Sequence, residues 1–333
     1  MPPSLRWALI GASDIAATRV LPAIRASGHS AVVVRSGDPD RAARWAADNG
    51  VPEAVTDLRA AVERDDVDAV YVSSLNAMHR EHVEAAAAAG KHVLAEKPLA
   101  LSLDDARAMV SACETAGVVM ATNHHLPASP THRALKEAVR SGAVGDVRAV
   151  RVHHAVQLPE RLAGWRIDDP VGGGVVLDVT VHDAAAVAAI LGRRALSVHA
   201  VGLNQDNDPG GPFDAVMTVA EWEDGVLVQT HDAYNNSHLP TSLHVLGTAG
   251  SLVAEDCNTG DPVGSVTLWR DQVSEPIELG PREDLYEVTV RAFAAAVAGE
   301  GDVVVSGADG VRSLAVSLAV LESLRTGSRA EVA

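Results

Sequence analysis

The hydrophobic pattern of the chain changes character once. Short strand-like runs, apolar for most of their length, at 7–10, 31–34, 69–73, 91–95 and 118–122 alternate with segments of helical period at 17–26, 40–49, 57–64, 80–89 and 102–116. Apolar runs of this length suit strands buried on both faces. Their alternation with helices implies a doubly wound parallel sheet. Ser102 with Asp105 three residues later is a capping-box-like start for the last of these helices, and Gly117 ends it. From Leu126 to Pro130 the composition becomes linker-like. Beyond it a helix at 131–141 and an alternating strand at 147–156 precede strand-like runs at 197–201, 215–221, 226–230, 242–245, 251–254 and 266–269, with turn signals between them. Strands with few helices between them predict a largely antiparallel sheet with one open face. Helices are expected at 283–298 and 308–325. The expected fold class is therefore α/β: a parallel-sheet domain over 1–125 and an α+β domain with an open β-sheet over 126–333.

One segment breaks its own pattern. Read as a helix, 174–191 is apolar on nearly every side, which predicts burial. Asp178 and His182 nevertheless lie on it, four residues apart and so one above the other. A buried carboxylate and imidazole need partners. The helix alone supports two readings: a hydrogen-bonded pair that orients a core helix, or an acid/base pair facing a ligand.

Charge and composition narrow the function. The 333-residue chain carries a net charge of −17, which argues against nucleic acid and anionic membranes as partners, since both need a basic face, and leaves room for a local basic pocket for a phosphate. No apolar run reaches the roughly 18 residues that span a bilayer, and a strand-like run follows the N-terminus directly, so a cytoplasmic protein is expected. The two cysteines form neither a disulfide framework nor a metal motif. Lys91, Lys97 and Lys136 are the only lysines among 27 basic residues, so a lysine at a ligand-facing position is informative.

Ligands on such sheets bind beyond the carboxyl ends of the strands. Those positions here are Gly11–Ala16, Ser36, Leu75–His79, Glu96–Pro98 and 123–125. The strand–turn–helix at 7–26 is the context of a dinucleotide-binding (Rossmann) turn, with Gly11 for the tight turn, Ala16 for close packing and Ser13 in place of the second glycine. The second strand ends in Arg35-Ser36, where NAD enzymes place an acid. Arg35, Ser36 and Arg41 suit a 2′-phosphate, so NADPH is expected over NADH. Lys97 precedes Pro98, which permits a cis peptide. His79 and His82 lack an acidic partner motif, and no metal is expected.

Gly11–Ala16, the run Gly90–Pro98 ending Glu96-Lys97-Pro98, and Asp178 to His182 with Asp183 occur in the order and spacing of the glucose–fructose oxidoreductase/inositol dehydrogenase family (Gfo/Idh/MocA), which the chain resembles over about 6–326. Thr122–Leu126, Gly164-Trp165-Arg166 and His231-Asp232-Ala233 look like its 1,5-anhydro-D-fructose reductase branch. That resemblance implies NADPH-dependent reduction of 1,5-anhydro-D-fructose to 1,5-anhydro-D-mannitol. It assigns the cofactor to Gly11, Ala12, Ser13, Asp14, Ile15, Ala16, Arg35, Ser36, Arg41, Leu75, Asn76, His79, Glu96, Lys97, Asn123, Trp165 and Arg166. It assigns the substrate to Lys97, His124, Trp165, Asp178 and His182. Lys97, His182 and Asp178 would be catalytic, with His182 as the proton donor. Many family members have Pro-Asn where this chain has Leu75-Asn76, and its second half is poor in aromatics. The alternatives are an NAD(P)-linked sugar or inositol dehydrogenase, a reductase of cyclic imines or non-sugar ketones, and a non-catalytic dinucleotide sensor. The expected partner is a small carbonyl or polyol substrate. The open sheet offers a face for a second copy of the chain.

Overall fold

The structure is a computed structural model that describes residues 4–333. The chain forms two compact units. One comprises the residues up to His125 together with Tyr286–Val311, and the other Leu126–Leu285 with Arg312–Ala333.

The first unit contains strands β1 (Arg6–Ile10), β2 (Ser30–Arg35), β3 (Glu53–Val55), β4 (Ala69–Val72), β5 (His92–Ala95) and β6 (Met120–Thr122). Between them run helices α1 (Leu21–Ala26), α2 (Pro39–Asn49), α3 (Leu58–Val62), α4 (His79–Ala88) and α5 (Leu103–Ala116). The strands pair in parallel in the order β3-β2-β1-β4-β5-β6. The order reverses between β1 and β4, which makes their carboxyl ends the expected ligand crevice. Trp7, Leu9, Ile10 and all of β4 are fully buried, which is why these strands read as unbroken apolar runs. The sixth strand, β3, is a three-residue edge with no apolar run to mark it. Asp38, Asp57 and Ser102 cap α2, α3 and α5 by accepting a backbone N–H three residues on.

The second unit contains α6 (Pro130–Arg140), β7 (Val147–Ala155), α7 (Gly164–Asp168) and α8 (Val181–Leu191). Seven strands follow: β8 (Ala195–Leu203), β9 (Ala215–Trp222), β10 (Val226–Ala233), β11 (Ser242–Gly247), β12 (Ser251–Glu255), β13 (Ser265–Arg270) and β14 (Val273–Pro276). Next along the chain come α9 (Leu285–Val297), which from Tyr286 on belongs to the first unit, α10 (Gly307–Thr326), which from Arg312 on belongs to the second, and β15 (Ala330–Glu331). The nine strands run β14-β13-β12-β11-β7-β10-β9-β8-β15. Only β7 and β10 pair in parallel; every other neighbour is antiparallel. Val150, Val152, Val198, Val216 and Val228 pack in the apolar core together with Leu135 of α6 and Val187 of α8. The opposite face is open and shows Val201, Met217, Val219 and Leu227 to solvent.

Residues 164–168 form the short helix α7. The expected single helix at 174–191 instead opens with a π-helical turn, Val176–Thr180, before α8 begins at Val181. Such i→i+5 turns concentrate at functional sites. This turn carries Asp178 and Thr180, and each takes a polar partner from β10 or the residue after it. The segment 286–311 belongs with the first unit because Phe293 packs on Trp7 at 5.1 Å and Val305 accepts a hydrogen bond from the Thr122 N–H.

Candidate active site

In the first unit the turn after β1 is built by close backbone approach. Gly11 has φ of 123°, and a Cβ there would lie 2.7 Å from the carbonyl carbon and oxygen of Ser73 at the end of β4. Ser13 donates its hydroxyl to the Ser73 hydroxyl at 2.8 Å and accepts the Ala16 N–H. Helix α2 grips the turn from the side: Arg41 donates to the Ala12 carbonyl at 2.7 Å, and the Trp45 indole donates to the Ser13 carbonyl at 3.2 Å. Asp14 is exposed and Ile15 half-buried at the tip. The arrangement fits a dinucleotide, since only glycine permits this path and the turn opens a helix.

Arg35, at the end of β2, donates to the Thr56 carbonyl and lies 3.4 Å from the His82 ring, whose other nitrogen meets Ser74 at 2.8 Å. Burial lowers His82 to about 4, so the ring is neutral and contributes no charge beside Arg35. Ser36 is half-buried, and its hydroxyl accepts the Asp38 N–H. Leu75 is 66% exposed and Asn76 opens the short turn behind it. His79 is placed differently from these. It is fully buried, with its ring nitrogens 3.1 Å from the Ser74 carbonyl and 3.2 Å from that of Leu99. It ties the loops after β4 and β5 together.

At the ends of β5 and β6 lies a buried polar network. The Glu96 carboxylate accepts from the Tyr71 hydroxyl and the Asn123 amide, each at 2.6 Å. Burial pushes the Glu96 carboxyl up, opposed by those two donors and by Lys97. The Lys97–Pro98 peptide is cis. His124 is fully enclosed; burial, with the charge of Lys97 nearby, lowers it to about 3. The structure thus brings Glu96, Lys97, Asn123 and His124 together.

In the second unit Asp178 is 7% exposed and held from two sides. Arg166 donates to its Oδ2 at 2.7 Å and the Tyr234 hydroxyl to the same atom at 3.0 Å. Arg166 also lies 4.7 Å over the Trp165 ring. The Tyr234 phenol is pushed well up by burial first and by the Asp178 charge second, so it stays a donor. His182 lies in the first turn of α8, 6% exposed. Trp165, Arg166 and Asp178 therefore meet as one group. Tyr234, Tyr71, Ser73 and Trp45 bond to candidate site residues and carried no local mark in the sequence. One signal was available: the chain has three tyrosines, and two of them donate to site carboxylates. Among the described residues no group of three or more His, Cys, Asp or Glu is arranged to hold a metal.

Residues 5–124 match the oxidoreductase family with an NAD-binding Rossmann fold, GFO_IDH_MocA, and residues 132–253 match the GFO/IDH/MocA C-terminal domain. The chain belongs to the GFO/IDH/MocA family. Within it, the chain is 44% identical to a 1,5-anhydro-D-fructose reductase of Ensifer adhaerens, over 98% of each protein. It is 32% identical to a dTDP-3,4-didehydro-2,6-dideoxy-alpha-D-glucose 3-reductase of Streptomyces violaceoruber, over 96% of this chain and 92% of that protein. The fold matches an aldose-aldose oxidoreductase from Caulobacter crescentus with a TM-score of 0.88 at 24% identity, covering 99% and 100% of the two chains. As a GFO/IDH/MocA member the protein is an enzyme, an NAD(P)-dependent oxidoreductase. Among the described residues no helix is long and apolar enough to cross a membrane.

Proposed function

We propose that this enzyme uses NADPH to reduce the ketone of a cyclic, sugar-derived substrate, in the manner of 1,5-anhydro-D-fructose going to 1,5-anhydro-D-mannitol. The observation that carries this reading is the 44% identity to a 1,5-anhydro-D-fructose reductase over nearly the full length of both chains. The choice of NADPH rests on Arg35 and Ser36 at the end of β2, where a carboxylate would favour a free ribose 2′-hydroxyl. The nicotinamide supplies the hydride when bound; the chain's own residues bind, orient and move one proton. In this reading Lys97 stabilises the charge that develops on the ketone oxygen. His182 donates the proton. Asp178, paired with Arg166 and oriented by Tyr234, accepts a hydroxyl of the substrate. Glu96 accepts the Lys97 N–H at 3.3 Å, and Asn123 fixes Glu96 in turn.

A second reading has support of its own: the chain is 30% identical to D-xylose 1-dehydrogenase (NADP(+)) 2 of Haloferax volcanii, over 98% of its length. Here the same residues would serve oxidation of a sugar hydroxyl. We further assign the apolar row on the open sheet face to a second copy of the chain, and the protein to the cytoplasm. The test is a spectrophotometric panel pairing NADPH and NADH with anhydrofructose, inosones, aldoses and cyclic imines. Oxidation of NADPH by anhydrofructose at the highest kcat/KM supports the reading. Preference for an imine, or for aldose oxidation, replaces the substrate. Preference for NADH overturns the roles of Arg35, Ser36 and Arg41. Tight NADPH binding with no turnover points to a sensor.

A further inference from the structure

Beneath the segment that carries Asp178 and His182 lies a second polar cluster that the proposed chemistry does not use. Asp183 on α8 is 1% exposed, and Asp232 on β10 is wholly buried. Asp183 Oδ1 meets the His154 Nδ1 on β7 at 2.7 Å. Asp232 Oδ2 accepts from the Thr180 hydroxyl, in the π-helical turn, and from the Thr230 hydroxyl at 3.1 Å. The Thr218 hydroxyl lies 3.0 Å from that of Thr230. Each carboxyl is left with one buried oxygen lacking a donor, Oδ2 on Asp183 and Oδ1 on Asp232. The two groups are nevertheless within hydrogen-bonding reach of each other. Two carboxylates cannot bond, and buried polar atoms are rarely left unpaired. A single proton between these two oxygens satisfies both.

We propose that Asp183 and Asp232 form an acid–carboxylate pair sharing one proton, and that this pair, with His154, is the positioning device for the Asp178–His182 segment. Asp232 is the acid: it donates through Oδ1 to Asp183, while its Oδ2 accepts the two threonine hydroxyls. Asp183 is the carboxylate and also accepts from His154. Burial raises the Asp183 carboxyl to about 7 and Asp232 well above its ordinary range, the second driven further up by the first. The other titratable groups around the pair are His132 of α6, lowered by burial to about 3, and Cys257, whose thiol burial pushes up. Both are uncharged at neutral pH. The consequence is a polar anchor of fixed geometry. Two strands, β7 and β10, hold the π-helical turn and the start of α8 at Thr180 and Asp183, one residue to either side of Val181 and His182, and Thr218 of β9 braces Thr230 behind them. An apolar contact at the same place would allow the segment to slide; hydrogen bonds of set direction do not.

The positioning role rests on the ketone-reduction reading, whereas the shared proton does not. Infrared difference spectra of the whole enzyme, without substrate, test the proton. The wild type should show the carbonyl stretch of a protonated carboxylic acid at pH 7, and Asp232→Asn should lack it. Absence of the band in the wild type, or its persistence in the variant, overturns the pair. Kinetics test the positioning. Asp232→Asn keeps a neutral donor toward Asp183 and should stay within about threefold of wild-type kcat, while Asp232→Ala should lose about tenfold or more at unchanged cofactor KM. Equal loss in both variants, or loss in neither, overturns the positioning role. Asp183→Asn, which removes the carboxylate that His154 needs, should behave like Asp232→Ala in kcat; wild-type kcat in this variant overturns it too.

Discussion

Tyr234→Phe is the substitution for which the structure gives the clearest magnitude. The tyrosine hydroxyl donates at 3.0 Å to the Oδ2 of Asp178, and the ring is almost fully buried. A hydrogen bond to a charged group contributes about 1.5–3 kcal/mol. Arg166 remains on the same oxygen at 2.7 Å, so the carboxylate keeps its charge partner and loses only its second donor. The ring still fills its site, so no cavity opens. Stability lost equally from the free enzyme and the transition state would leave turnover untouched. The full 1.5–3 kcal/mol is therefore a ceiling on the kinetic effect, between about tenfold and a hundredfold in kcat/KM. We expect kcat/KM for the ketone to fall severalfold and by no more than that ceiling, NADPH affinity to hold, and the melting temperature to drop by only a few degrees. Steady-state kinetics with calorimetry on the same preparation decides it. A variant with wild-type kcat/KM for the ketone refutes the claim that Tyr234 orients Asp178 for substrate. An equal loss in NADPH affinity refutes the assignment of Asp178 to the substrate.

Gly11→Ala should lose at least about tenfold in cofactor affinity by calorimetric titration, because its Cβ would lie 2.7 Å from Ser73 backbone atoms at a φ of 123°. Ser36→Asp should move the NADPH-to-NADH ratio of kcat/KM by about tenfold or more toward NADH, since a carboxylate there repels a 2′-phosphate and accepts a 2′-hydroxyl. Acid should destabilise the fold through His132, held at about 3 by burial against roughly 6.5 in the unfolded chain. Above 6.5 the ring is neutral in both states. As pH falls toward 3 the unfolded chain takes up a proton that the folded state refuses, so stability is lost at about 1.4 kcal/mol per unit. Melting temperatures of His132→Gln should fall less steeply than those of the wild type between pH 6.5 and 4.

The first unit was legible where burial is two-sided. The strands β1 and β4 announce themselves by apolar runs, β5 by the buried Val93-Leu94-Ala95, and the residues at their carboxyl ends follow from topology alone. The edge strand β3, Glu53–Val55, has one half-solvated face and no such run. The helical pattern of 283–298 is readable, but its destination is not: Phe293 meets Trp7, and nothing local records a partner so far away in sequence. The same distance hides Tyr234, which is 56 residues from Asp178. The wide turn at Val176–Thr180 has no residue signature either, because an i→i+5 bond uses the same backbone groups as an α-helix. What the sequence did show there, a carboxylate and an imidazole misplaced on an apolar helix, was the correct anomaly. It lacked the partners, Arg166 and Tyr234, that explain how the helix tolerates the carboxylate.

The central proposal is that ketone reduction depends on Lys97 and on His182. Its most direct test is turnover of 1,5-anhydro-D-fructose by Lys97→Ala and His182→Asn at saturating NADPH, with cofactor affinity measured alongside. General acid and electrostatic assistance each contribute roughly a hundredfold or more. The account predicts losses of at least about a hundredfold in kcat for each variant, with NADPH affinity within about threefold of wild type. Either variant turning over anhydrofructose at the wild-type rate would contradict it.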